Sequence, residues 1–483
     1  MRLIDTRTYC NPISLPDCPR GADFPHVMDF TRLPEQDYRS VSDPSVLYHD
    51  GVWYLYPSYG LAWVSRDFVH WEHVPVDPPC VGYSPAIAVR DGKFYLTGHS
   101  HPLYVSDSPL GPFTLLGDFI RPDGSRFCPV DPALFCDDDG ELYLYMFDAL
   151  PADNEEGFIA RTLGARLDPE NPRRLLHEPV ELNRFCPEHE WERFGERNQD
   201  TELGWIEGQW LFKHGGRYYL LYSGSGTQFG SYAMGTYMSE TGPLEGFRYQ
   251  ESSPLTESRM GLVKGAGHGC VAEGPGGSLW AFYTVTIAYA HVYERRIGMD
   301  PVYAAPDGTL RCRVTDTPQF GPGTPQALAG EPDTGLLPLT LRQMMCCRAS
   351  SHAPGRDPLY ALDESLLTWW QPADGDGSPS LLVDLQAVYE AEALRIIWRD
   401  VGLDYGAGRI PAPYRFTVEG ARTEDGAYGP LCDERDNTLE ENIVYRTFEP
   451  ARVRYVRLTV TGWAAGLTPG VISFCVFGKR AAR

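Results

Sequence analysis

The stretch EGQWLFKHGGRYYLLYS, residues 207–223, decides how this chain is read. Its apolar and aromatic residues form two strand-like runs around Gly215-Gly216, a dipeptide that supplies the positive φ of a tight hairpin turn. The run begins with a bare carboxylate, Glu207. Glu has low strand propensity and its charge is costly to bury, so it either caps a turn or serves chemistry. Four other segments repeat the pattern: DPSVLYHDGVWYLYPS from Asp43, SPAIAVRDGKFYLTGH from Ser84, DPALFCDDDGELYLYMF from Asp131 and HGCVAEGPGGSLWAFYT from His268. Their turns are Asp50-Gly51, Asp91-Gly92, Asp139-Gly140 and Gly276-Gly277.

Further strand-like pieces follow the hairpins, such as LAWVSRDFVHW (61–71), LYVSDSPLGPF (103–113) and YAMGTYMSETGPLEGF (232–247). A hairpin plus two outer strands gives four strands per unit. Five units predict a five-bladed β-propeller, with a β-sandwich of many hairpins as the competing reading. The spacing places the longest insertion at roughly residues 150–206. In a propeller the first strand of each blade lines the central axis. The leading residues Asp43, Ser84, Asp131, Glu207 and His268 are therefore expected at one place, the mouth of the central channel. Three carboxylates brought together raise one another's pKa, a cost that makes sense at a working site.

Composition agrees. The chain has 483 residues, too many for one ordinary domain, and 49 Gly and 41 Pro favour a turn-rich β architecture. The net charge of −23 disfavours nucleic acid and anionic membrane as partners and suits a neutral sugar. The N-terminal run MRLIDTRTYCNPISLPDCP lacks the apolar core of a signal peptide, and no transmembrane helix is read. The twelve Cys show no C-x-x-C pair and no metal-ligand spacing, which predicts reduced thiols and a cytoplasmic location.

The axis residues resemble glycoside hydrolase family 43, whose members are five-bladed propellers. SDPSV (42–46) looks like the family's general-base motif and gives Asp43. VDPALF (130–135) looks like the motif of its pKa-modulating Asp and gives Asp131. EGQWLFKHGGRYYL is similar to the general-acid motif and gives Glu207. GAGHGCV (265–271) resembles the segment whose His, here His268, sits near the axis, and ERRIGMDPV (294–302) the segment bringing a sugar-contacting Arg, here Arg295. The family's usual Trp-Ala-Pro of blade 2 is Tyr-Ser-Pro here, with Tyr83 offering the aromatic face. The resemblance covers about residues 10–320.

It implies a catalytic set of Asp43, Asp131 and Glu207, with Tyr83, His268 and Arg295 binding substrate. Glu207 is expected to protonate the departing oxygen and Asp43 to activate a water on the opposite face of the sugar. Inversion asks for a carboxyl separation of roughly 6.5–9.5 Å. The substrate expected is a small oligosaccharide that loses terminal pentose or furanose sugars, as α-L-arabinofuranosidases, β-xylosidases and β-galactofuranosidases do. No cofactor is required. A structural Ca2+ near His268 or in the C-terminal domain is the ion to look for. A non-catalytic sugar-binding propeller is the alternative, and it would not need the three carboxylates together.

Other signals are weaker. Asp-Pro also occurs at Asp77, Asp168, Asp300 and Asp357, where it usually means a turn. Glu202 competes with Glu207 but lies out of phase with the repeat. RFCPEHEWERFGERNQDTELGW (184–205) combines Trp191, Phe194 and Trp205 with acids, which suits either a pocket wall or a solvated loop. GSGTQFG (224–230) lacks the helix of a phosphate loop, and HSH (99–101) lacks a third zinc ligand.

The Pro/Gly-rich run FGPGTPQALAGEPDTG (320–335) reads as a boundary. The domains expected are a catalytic propeller over 1–322, a linker over 323–338 and a second all-β domain over 339–483. LLVDL, ALRIIW, YRFTVEG, VRYVRLTVTGW and VISFCVFG are its strands. ALDESLLTWW, LLVDL and ARVRYVRLTV resemble a discoidin-like (factor 5/8 type C) domain, which implies a jelly-roll, galactose-binding-like sandwich. Trp369, Trp370 and Trp463 are read as core.

Overall fold

The computed structural model describes residues 7–18, 40–77, 81–151, 158–287, 294–341 and 343–481. Five four-stranded antiparallel sheets, each built from consecutive strands, make five blades. Blade 1 uses Ser45–His49, Val52–Tyr56, Trp63–Ser65 and Glu72–His73, and blade 2 uses Ala86–Arg90, Lys93–Thr97, Leu103–Ser106 and Thr114–Gly117. Blade 3 uses Val130–Cys136, Leu142–Pro151, Phe158–Arg166 and Val180–Arg184. Blade 4 uses Glu207–His214, Arg217–Gly224, Ala233–Ser239 and Arg248–Tyr249, and blade 5 uses Gly269–Glu273, Leu279–Thr286, Arg295–Ala304 and Leu310–Cys312.

The hairpins follow their turn residues. Asp50 and Gly51 (φ 49° and 78°), Asp91 and Gly92 (51° and 72°), and Gly215 and Gly216 (58° and 78°) place both central residues at positive φ, the turn whose twist matches the strands. Blade 3 turns through a longer loop closed by Asp137 N–H to Glu141 O (2.9 Å), and blade 5 through a short 3-10 turn at Pro275–Gly277. One expectation changes. Much of the stretch read as an insertion at 150–206 is the outer half of blade 3, and the true excursion is the loop from 185 to 206. The pattern missed it because Phe158–Arg166 contains Gly164 and three charged or polar side chains that break the apolar alternation.

Between blades, layers of aromatic and aliphatic residues fill the gaps. Leu55, Trp63, Trp280 and Phe282 are fully buried between blades 1 and 5, each worth about 1.5–3 kcal/mol. Three blade junctions near the axis share one polar joint, in which a leading residue's N–H donates to a hydroxyl of the preceding blade. Asp43 N reaches Thr284 Oγ1 (3.0 Å), Ser84 N reaches Ser58 Oγ (3.1 Å) and His268 N reaches Ser223 Oγ (2.7 Å). The ring is tied again outside the blades, where Thr8–Tyr9 pairs with Gln319–Phe320.

The C-terminal part is one seven-stranded sheet centred on Ser380–Val401, which pairs with both Ile443–Gly462 and Thr468–Arg480. Register shifts at Asp384/Tyr389 and Ala391/Ala393 let the long strands bend, so the sheet closes as a sandwich over Leu381, Val383, Trp398, Val456 and Phe474. Within the segment read as linker, Leu337–Pro338 joins this sheet as an edge strand. Trp370 is fully buried, Trp369 is 9% exposed and Trp463 packs partly buried against the same core.

The two parts share an apolar seam of Leu262 and Ile287 against Leu366, Trp369, Ile397, Ile443 and Ile472. The buried Arg395 of the sandwich also donates to Asn11 O (2.5 Å) and Asp316 O (2.8 Å). Among the described residues no helix is long and apolar enough to cross a membrane. The eleven described cysteines are free thiols, and Cys80 lies outside the described residues.

Candidate active site

Four of the five leading residues adopt a backbone that side-chain-bearing residues seldom take. Asp43 (φ 52°), Ser84 (48°), Asp131 (43°) and His268 (38°) are all left-handed. Each such residue costs on the order of 1–3 kcal/mol and persists where the surroundings impose it. Blade 4 corrects the expected phase. By strand register its equivalent position is Gly208 (φ 60°), two residues before Trp210, as Asp131 stands two before Ala133. Glu207 therefore stands one residue ahead of the other leaders and matches Val130. Gly208 is required there twice over, because a Cβ would also meet the His268 ring at 2.7 Å. The offset was hidden because the Glu-Gly pair has no Pro to mark the phase.

Asp43 is 5% exposed and densely held. Its Oδ2 accepts from Ser58 Oγ (2.5 Å) and Ser42 Oγ (3.0 Å). Arg295 Nη1 lies 3.4 Å and His268 Nδ1 3.5 Å from Oδ1. Burial alone would raise this carboxyl's pKa. Arg295, His268 and the two hydroxyls outweigh it and hold Asp43 below the usual carboxylate range.

Asp131 lies 7% exposed and accepts from His99 Nδ1 at 2.8 Å. Burial again pushes up, but His99 and then His268 bring the Asp131 carboxyl below its ordinary value. Burial pushes the His99 imidazole down, and Asp131 more than reverses this, so it holds its proton above the usual range.

Glu207 is the opposite case. Its Oε2 accepts from Trp205 Nε1 (2.6 Å) and its Oε1 from Tyr232 OH (2.8 Å). Burial, then repulsion by Asp131, push it up to about 7 against His268 and these two donors. One carboxyl thus holds a proton near neutrality beside two that are ionised.

All three acids line one cavity of about 390 Å³, together with Tyr83, His268 and Arg295. The six residues singled out in the sequence are therefore brought together. Tyr83 packs its ring on Tyr59, with 4.9 Å between ring centroids. Arg295 is 3% exposed and donates to Thr227 Oγ1 (2.7 Å) as well as facing Asp43. Ser84 turns instead to His268, its Oγ 3.0 Å from Nε2. Glu202 is exposed and outside the cavity.

Sequence reading missed His99, Tyr232 and Phe147. His99 carried a signal, since it closes the blade 2 unit as Ser58 closes blade 1. The GSGTQFG run holds no phosphate-loop helix but lends Thr227 and Gln228 to the wall. Of the 184–205 aromatics, Trp205 stacks on Phe147 (5.8 Å, 13°) and lines the cavity with Phe194, whereas Trp191 is buried against Tyr222.

Ca2+ takes six to eight oxygen ligands. The site beside His268 does not fit that demand, because it presents a ring nitrogen already engaged with Ser84 Oγ. Among the described residues no group of three or more His, Cys, Asp or Glu is arranged to hold a metal.

A carboxyl that keeps its proton, a second that is ionised, and a fixed cation beside the second can together give one proton and take another across a bound molecule.

Residues 347–473 match the F5/8 type C domain. A xylosidase/arabinosidase 43A of Humicola insolens is 30% identical over 30% of this chain and 52% of its own length. A beta-xylosidase of Xylanibacter ruminicola is 30% identical over 33% of this chain and 53% of its own. The chain thus spans about half the length of these relatives. A thermostable family-43 glycoside hydrolase of known structure, 22% identical, superposes with a TM-score of 0.50 over 65% of this chain and 99% of its own, a likeness of fold. Residues 38–310 match Glycosyl hydrolases family 43, and with more than half its length covered the chain belongs to that family.

Proposed function

We propose that this protein is an inverting, exo-acting glycoside hydrolase that releases terminal pentose or furanose sugars from small oligosaccharides. The observation that carries this reading is Glu207, held protonated to about 7, in one cavity with the ionised Asp43. In the proposed reaction the glycosidic oxygen takes the Glu207 proton as its bond to the anomeric carbon breaks. Asp43 takes a proton from a water that attacks the opposite face, leaving a sugar of inverted configuration. Asp131 keeps Glu207 protonated through like charge, and its own position is set by His99. Arg295 offers guanidinium N–H groups to sugar hydroxyls, and Tyr83 and Trp205 offer ring faces.

Two features support terminal attack. The cavity is small, about 390 Å³, and the Phe147–Trp205 stack lines it next to Glu207. The relatives named xylosidase or arabinosidase support a pentose.

The test is a panel of aryl pentopyranosides and pentofuranosides, with NMR of the first-formed anomer. Release of a single sugar in inverted configuration is expected. Retention, or binding without hydrolysis, would overturn the proposal.

A further inference from the structure

The C-terminal sandwich reaches the active site through a line of buried polar contacts. It starts in the sandwich core. Asn442 accepts from Trp398 N at its backbone oxygen (2.9 Å) and donates from Nδ2 to Trp398 O (2.7 Å), so both its main chain and its side chain are held. Its free amide oxygen, Oδ1, accepts from Arg296 Nη2 of the propeller at 2.8 Å. Arg296 Nη1 in turn donates to the backbone oxygen of Arg295 at 2.8 Å. That same oxygen accepts from Val41 N (3.0 Å), two residues before Asp43. Every member is buried: Asn442 and Arg296 are 7% exposed, Arg295 3% and Val41 1%. Glu294, 3.6 Å from Arg296 Nη2, is the acid beside the joint.

We propose that the C-terminal domain is a working part of the catalytic unit, with Asn442 and Arg296 as positioning residues that hold the main chain of Arg295 and Val41, and so fix Arg295 against Asp43. The proposal rests on the reading of Asp43 and Arg295 given above. The physical reason is reach. A guanidinium is a planar fork, and only Arg can donate to Asn442 and to the Arg295 carbonyl at once. Both acceptors belong to fixed backbone or to a pinned side chain, so the fork has one geometry. Without Asn442 the outer nitrogen of the guanidinium is drawn toward Glu294 Oε1, 3.6 Å away, and that swing takes Nη1 off the Arg295 carbonyl, which loses its second donor. A displacement of about 1 Å at a reacting group can cost about 100-fold in rate.

The experiment uses the full chain. Asn442→Leu removes the acceptor at similar size. Asn442→Asp keeps an oxygen for Arg296. Ser14→Ala removes a different contact between the two domains, Ser14 Oγ to Glu441 Oε1 (2.6 Å) and to Ile443 O (2.7 Å), which flank Asn442 without being members of the line. Three readouts are taken: melting temperature, kcat and KM on an aryl pentoside, and hydrogen–deuterium exchange at Val41. N442L is expected to lose about 10-fold or more in kcat/KM, by the positional argument above, and to exchange Val41 faster well below its melting temperature. N442D keeps the acceptor for Arg296 but sets a carboxylate oxygen against Trp398 O, so it should recover part of the activity. S14A should lose melting temperature alone. Wild-type kinetics and Val41 protection in N442L, or losses shared equally by S14A, would overturn the proposal. Where N442L fails to fold, Arg296→Lys reads the same joint, since the ammonium cannot span both acceptors. Where the wild type hydrolyses no glycoside, the hydrolase reading fails, and Val41 exchange still decides whether the brace exists.

Discussion

Glu207 and Asp300 are both carboxyls pushed up to about 7, yet they sit in opposite kinds of surroundings. Asp300 lies in the third strand of blade 5 and has no exposed surface. Its two oxygens accept from Tyr9 OH (2.9 Å), Asn11 Nδ2 (3.0 Å), Tyr283 OH (2.6 Å), Thr315 N (3.0 Å) and Thr315 Oγ1 (2.6 Å). These donors knot the N-terminal segment to the last blade. Burial raises Asp300, and its hydrogen bonds oppose the rise. Glu207 has two donors, a like-charged neighbour in Asp131 and a cavity in front of it. A raised pKa therefore does not mark a working acid by itself. What separates the two is whether the proton has somewhere to go.

The largest expected effect tests that separation directly. Glu207→Gln and Asp43→Asn should each lower kcat/KM on a substrate with a poor leaving group by about 10²–10⁴-fold, the usual worth of a general acid or base. Asp300→Asn should leave kcat of the folded enzyme unchanged. Its cost is stability: the NH2 takes the place of Oδ1, so the Tyr9 and Thr315 hydroxyls must turn from donor to acceptor, at about 0.5–1.5 kcal/mol each, read by urea unfolding at pH 7. A D300N enzyme that is stable but inactive would break the comparison.

Stability against pH sharpens it. Folded Asp300 keeps its proton up to about 7, whereas the unfolded side chain releases it near 3.8. Between these values the folded state holds more protons, so this group's contribution to stability falls as pH rises from about 4 to about 7 and is level beyond. Glu207 has the same sign. D300N should flatten that part of the urea-derived stability curve, and E207Q should flatten a further part.

Smaller effects belong to the neighbours of Glu207. Asp131→Asn removes the repulsion and should move the alkaline limb of the kcat/KM–pH profile down from about 7. Trp205→Phe keeps a ring on Phe147 but removes a donor that favours the ionised acid, so the limb should rise slightly.

The fold was legible in the sequence because each hairpin carries its own turn chemistry. Asp-Gly and Gly-Gly pairs stand at five points where positive φ or a tight loop is needed. The axis acids were legible for the same reason, since Asp43 and Asp131 head strands where a left-handed Asp before Pro leaves a trace. Asp300 shares the Asp-Pro pair but sits within a strand at ordinary φ, so phase, not dipeptide, separated it. What was not legible depends on neighbours far along the chain. His99 acquires a role only when blade 2 meets blade 3 at Asp131, Tyr232 only when blade 4 folds back on Glu207, and Thr227 only when blade 5 brings Arg295 to it. The link from Asn442 to Arg295 joins residues of different domains and has no local pattern at all.

The most direct test of the account is a leaving-group series of aryl glycosides hydrolysed by E207Q and D43N. The account predicts that E207Q loses far more rate on poor leaving groups than on activated ones, because only the departing oxygen needs its proton, while D43N loses a similar factor on all. Equal losses across the series in both variants would contradict it.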